Sequence, residues 1–83
     1  SHEVELLNLT QEMKQHELLD ALEKTGTIDF ISYVNGQPRI IIVVTFVAML
    51  ELIKKRRIQV RQSKQFSRIT ITRRADGHEN EDS

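Results

Sequence analysis

Apolar positions follow three different rhythms along this chain, and each predicts a different element. The first is helical. Thr10 stands where an N-cap belongs, followed by Gln11, Glu12 and Met13, with acidic residues where a helix start favours them. Met13, Leu18, Leu19 and Leu22, with Ala21, keep helical spacing up to Lys24. Gly26 is a natural stop, because glycine takes the left-handed conformation that ends many helices. The first helix is therefore predicted over residues 10–24, with residues 1–9 as a partly ordered lead-in. Residues 28–34 (IDFISYV) are ambiguous: a short strand followed by one helical turn fits them, and Asn35-Gly36 ends the segment as a turn.

The second rhythm is an apolar run, residues 40–50, broken only by Thr45. Ile40, Ile41, Ile42, Val43, Val44, Thr45 and Val47 are β-branched, so local propensity says strand. Length says helix. No breaker appears between Arg39 and Arg57, and Ala48-Met49-Leu50-Glu51-Leu52 is good helix composition. Pro38 suits a first helical turn, where its missing N–H costs nothing. One long helix is predicted, with Val43, Phe46, Val47, Leu50 and Ile53 on the core-facing side. Ile41, Val44, Ala48 and Leu52 form a second stripe, and Ile42 and Met49 a third. A domain of about 70 ordered residues can scarcely wrap such a helix completely, so an apolar strip should remain for a partner.

The third rhythm is strict alternation. Ile58 and Val60 point one way, Gln59 and Arg61 the other; Ile69 and Ile71 repeat the pattern against Thr70 and Thr72. Joined by residues 62–68, these runs predict an antiparallel hairpin with one buried face. Residues 75–83 read as a mobile acidic tail. The predicted fold is α+β: a small winged-helix domain over residues 10–74, three helices followed by a two-stranded wing.

Composition narrows the function. With 83 residues there is room for one core, and 39% hydrophobic with 29% charged residues fits a folded chain. Cysteine is absent, which excludes disulfides and thiolate metal sites. The net charge of zero hides an asymmetry. Residues 1–36 carry seven acidic and two basic side chains, residues 37–74 one acidic and ten basic, and the tail four acidic. The basic half can meet nucleic acid or an acidic protein, or the two halves can neutralise each other within the fold, and both readings, a functional basic surface and internal neutralisation, stay open.

His2, His16 and His78 share no helical face, so no metal or cofactor site is expected. Glu12, Glu17, Asp20 and Glu23 read as a solvated helix face, Gly26, Gly36 and Gly77 form no phosphate loop, and Ser32 and Ser63 lack a positioned base. An enzyme is not expected. The run at residues 40–50 is well short of the roughly 20 residues of a membrane span, so no membrane role is expected either.

The stretch VVTFVAMLELIKKRRIQVRQSKQFSRITI, residues 43–71, resembles the C-terminal winged-helix domain of the ScpA family, the bacterial kleisins of segregation and condensation. The residues that carry it are Val44, Thr45 and Phe46 with Ala48, Leu50, Glu51, Leu52, Ile53 and Lys54, then Ile58, Val60, Gln62, Phe66, Ile69, Thr70 and Ile71. Ser67-Arg68 departs from the acidic or glycine-rich patch often found there in the family, and residues 28–38 match poorly. The resemblance implies a subunit that binds one SMC ATPase head and brings no ATP chemistry of its own. It also implies a chain that is part of a longer protein, with ScpB bound elsewhere, and a cytoplasmic, nucleoid-associated setting. The interface predicted on this basis is Ile41, Val44, Thr45 and Ala48 with Phe66, while Arg61 and Arg68 tune the encounter. DNA would be met only indirectly or without sequence readout, through Arg61, Lys64, Arg68, Arg73 and Arg74. The alternative is a DNA-binding winged helix of a transcriptional regulator. Against it, the long helix presents Ile, Val, Ala and Met where base readout needs Arg, Asn, Gln or Ser. A third reading is a domain that pairs with itself through the apolar helix.

Overall fold

In chain order the computed structural model contains α1 (His2–Thr25), β1 (Thr27–Asp29), α2 (Phe30–Val34), α3 (Arg39–Lys54), β2 (Ile58–Gln62) and β3 (Ile69–Arg73). It describes residues 2–63 and 68–74; the predicted acidic tail, Lys64, Phe66 and His78 lie outside that range. The fold is α+β, and its plan is compatible with a winged helix.

The first helix starts at His2 rather than Thr10, so the predicted lead-in is helical. Glu3 and Glu5 lie in its first turn, where they complement the dipole. Thr10 caps nothing: its hydroxyl donates to the Leu6 carbonyl at 2.8 Å, a bond made inside a continuing helix. Gln15, Leu18 and Leu22 form the buried stripe, whereas Met13 faces solvent. The helix ends as predicted. Gly26 takes φ 85, and its N–H donates to the Leu22 carbonyl at 2.7 Å.

β1 and α2 follow, the short strand and single turn that residues 28–34 suggested. Asn35 at φ −61 and ψ 130 precedes Gly36 at φ 86, and the Gln37 N–H donates to the Val34 carbonyl at 3.0 Å. This is a type II turn, which needs a glycine at its third position. The carbonyl of Pro38 then accepts the first amides of α3, from Ile41 and Ile42, each at 3.0 Å.

The β-branched run is helical, against its local propensity, because one face of α3 is buried. Val44, Thr45, Ala48, Met49 and Leu52 point inward. The predicted core face is therefore reversed: Val43, Phe46, Val47, Leu50 and Ile53 lie outside. Ala48, with no exposed surface, lets a neighbouring helix come close, and α1 packs along α3. Thr45 can be buried because its hydroxyl donates to the Ile41 carbonyl at 2.6 Å.

α3 ends at Lys54, short of Arg57. The Arg56 N–H donates to the Ile53 carbonyl and the Arg57 N–H to the Leu52 carbonyl, both at 2.9 Å. That pairing is a Schellman stop with arginine, at φ 62, where glycine is usual. A left-handed non-glycine residue costs about 1–2 kcal/mol. Arg56→Gly is accordingly expected to raise stability by about 0.5–1 kcal/mol, after the extra freedom glycine gives the unfolded chain. Chemical denaturation checks it, and an unchanged or lower midpoint would contradict the strain.

The sheet has three strands, not two, in the order β1-β3-β2, all antiparallel. The predicted wing hairpin is present, and β1 adds to its other side by pairing Ile28 with Ile71. Ile28, Ile71 and Val60 thus lie in one row facing the helices. Three residues at residues 27–29 are too few to show an alternation that would have announced this partner. The inner row closes the core with Leu18, Leu22, Phe30, Ala48, Met49, Leu52 and Ile58. Gln59, Arg61, Thr70 and Thr72 take the opposite face, as the alternation predicted.

Candidate partner-docking surface

With the inward residues assigned, the outer face of α3 stands out. Ile40, Val43, Phe46, Val47, Leu50 and Ile53 recur at three- and four-residue spacing, and each is between 38% and 53% exposed. Together they present several hundred Å² of apolar surface on one helix, at the size where a monomer's patch usually has a use. Phe46 is held in place by its ring contact with buried Phe30, edge to face at a centroid distance of 6.0 Å. The strip thus includes an aromatic side chain that is fixed before any partner arrives.

At its N-terminal end the strip runs into a groove between two helices. Leu7, Asn8 and Gln11 of α1 form one wall, and Ile40, Val43, Val44 and Val47 of α3 the other; the space is about 520 Å³ counting its open mouth. Gln15, next along α1, is buried yet satisfied. It accepts from Lys55 Nζ at 3.0 Å and donates to the Gln11 side chain, tying the middle of α1 to the C-terminal end of α3.

Of the interface residues predicted from sequence, Val44, Thr45 and Ala48 lie in the core at 5%, 2% and 0% exposure. Val44 still lines the groove and Thr45 a polar cleft, while Ala48 is fully enclosed between the helices. Ile41 is half-buried, beside Thr45 in that cleft with Lys14, Glu17 and Tyr33. Arg61 and Arg68 are exposed, and Phe66 lies outside the described residues. The apolar strip was foreseen, but its members were not.

The polar groups of that cleft are paired or neutral. Lys14 and Glu17 pair with each other at 3.0 Å. Burial, with Glu17 adding to it and Lys14 opposing, holds the Tyr33 hydroxyl above its ordinary pKa, so it stays protonated. Among the described residues no cluster of three or more His, Asp or Glu could hold a metal ion. No helix among them is long and apolar enough to cross a membrane.

The family model for segregation and condensation protein ScpA matches residues 1–74, which includes every described element. The chain belongs to the ScpA family. Among curated proteins none matches it. Membership assigns the chain a kleisin-type role in chromosome segregation and condensation, in partnership with the SMC complex. The match also extends over α1 and the short elements, beyond the stretch at residues 43–71 on which the sequence resemblance rested.

Proposed function

We propose that this chain is the SMC-head-binding domain of a kleisin, a non-enzymatic adaptor that docks through the outer face of α3. One observation carries the reading: six large apolar side chains remain exposed on a single helix face while the core is complete without them. Docking removes that face from water, and burial of apolar area is the main favourable term in association. Phe46 supplies the aromatic anchor, Val43 and Val47 flank it, and Leu50 and Ile53 extend it. Ile41 lies on the other side of α3, in the polar cleft, and is left out of this surface; the core residues Val44, Thr45 and Ala48 support the strip from beneath. Arg61 and Arg68 act at longer range, steering encounter with a partner of opposite charge. ScpB binding is assigned to other parts of the kleisin, and the setting is the nucleoid in the cytoplasm.

The experiment is direct. The purified chain is mixed with an isolated SMC ATPase head and run by size exclusion with light scattering. Co-elution as a one-to-one complex is the expected result. Separate elution at micromolar concentrations of both, with the chain alone running as a dimer, would assign the strip to self-pairing instead.

A further inference from the structure

Strand pairing gathers cations that the chain keeps apart. Arg56 and Arg57 leave the end of α3, and Arg73 and Arg74 close β3. The register sets Arg73 opposite Ile58, and the Arg74 N–H donates to the Arg57 carbonyl at 3.1 Å. Arg57 and Arg74 are thereby cross-strand neighbours, with Arg56 and Arg73 next to them in the chain. All four are exposed. Glu23 reaches Arg73 at 3.7 Å, an exposed and weak contact, and half-buried Glu51 lies one turn before Lys55. Among the described residues, Arg56, Arg57 and Arg74 have no ion-pair partner. Internal neutralisation, one of the two readings the charge pattern left open, therefore does not extend to this edge within the described structure.

We propose that this arginine edge holds the sugar–phosphate backbone of duplex DNA, without reading sequence. Guanidinium groups pair with phosphate oxygens through two parallel bonds, a geometry lysine lacks. An acidic protein partner is disfavoured because its interface would need a buried apolar or aromatic centre. The apolar side chain next to this edge, Ile58, is 1% exposed and belongs to the core. Stacking on single strands is disfavoured too, because no aromatic residue lies among residues 54–63 or 68–74. Base readout would require polar side chains on an element inserted in the major groove, and the outer face of α3 carries Ile, Val, Phe and Leu. What remains is phosphate contact, whose affinity comes from counterion release. This surface differs from the α3 strip proposed for head docking, so either can fail without the other.

The test is fluorescence anisotropy of the full chain with two labelled duplexes of unrelated sequence, titrated at several salt concentrations. Both duplexes should bind within about twofold of each other, with a log–log salt slope near −0.9 per phosphate engaged, about −2 to −3 for Arg56, Arg57 and Arg74, since Arg73, opposite buried Ile58, lies toward the helices beside Glu23. The double variant Arg57→Glu/Arg74→Glu should lose at least about tenfold in affinity, and its slope should shrink by about 2. Arg57→Gln/Arg74→Gln serves the same purpose if the charge reversal disturbs folding, which circular dichroism shows. Val47→Asp, on the α3 strip, should leave DNA binding unchanged. No anisotropy change at about 50 mM salt, an unaltered slope in the folded double variant, or equally tight binding of polyglutamate would each overturn the proposal; the last would assign the edge to an acidic protein.

Discussion

Ala48→Arg is expected to abolish folding of this domain. Ala48 has no exposed surface and sits in the cluster with Leu18, Met49 and Leu52, on the face where α1 packs along α3. Arginine there forces the helices apart, an overpacking cost of about 1–3 kcal/mol. It also buries a charge with no partner, which costs several kcal/mol more. A core in a domain of this size supplies only about 3–5 kcal/mol in total. The costs exceed the supply. Far-ultraviolet circular dichroism should show loss of helix, and heating should show no cooperative transition. A variant that melts cooperatively within a few degrees of the parent would mean that Ala48 lies at the surface and that the helix is turned the other way.

The second large effect comes from the adjacent residue and has the opposite character. Val47 is 42% exposed and lies on the outer strip. Val47→Asp should leave the domain folded with a melting temperature at or near that of the parent, because the carboxylate stays in water. Its affinity for an SMC head should fall by at least about 100-fold, equivalent to about 2.7 kcal/mol, because docking would bury an unpaired charge at the centre of an apolar contact. Titration calorimetry with the isolated head measures it. Undiminished binding by the folded variant would remove the α3 strip from the interface. Residues 47 and 48 are neighbours in the chain, yet one change should destroy the fold and the other only the contact. Few pairs of substitutions test a helix orientation as sharply.

The exchange of the two faces explains how much of this protein its sequence could show. The helical state of the β-branched run was legible, because no strand runs so long without a breaker and its second half favours helix. The hairpin was legible because Ile58, Val60, Ile69 and Ile71 alternate with polar residues over a half-buried sheet. The orientation of α3 was not, because apolar residues ring the helix and spacing alone leaves either face free to be the core. Phe46, Leu50 and Ile53 are bulky enough to fill a core, and Ala48 and Thr45 are small. The structure favours close approach instead: a small residue at the helix contact admits α1, and a threonine can be buried when its hydroxyl bonds its own helix. Large apolar residues were then left outside. Their presence there is informative only because the core is already complete. The start of α1 was missed for a related reason. Thr10 suits a cap, but a threonine that bonds four residues back fits equally well inside a helix. Of the arginine edge, Arg73 and Arg74 were legible as phosphate contacts, but Arg57 was not, since Arg57 and Arg74 become neighbours only through the strand register.

The strand order has a consequence for how the domain comes into being. β3 is last in the chain and central in the sheet, and β1 and β2 bond to it and not to each other. While synthesis proceeds from the N-terminus, the helices can form and begin to associate, but neither earlier strand has a mate until Ile69–Arg73 has left the ribosome. Thr27 must then wait for Thr72 to complete its ladder, a closure that spans α2, α3 and β2. A nascent or prematurely stopped chain lacking those five residues would display two orphaned edges and an unfinished apolar layer, a form suited to capture by chaperones and proteases rather than to assembly. Such an arrangement ties maturation of the sheet to near-complete translation of the domain.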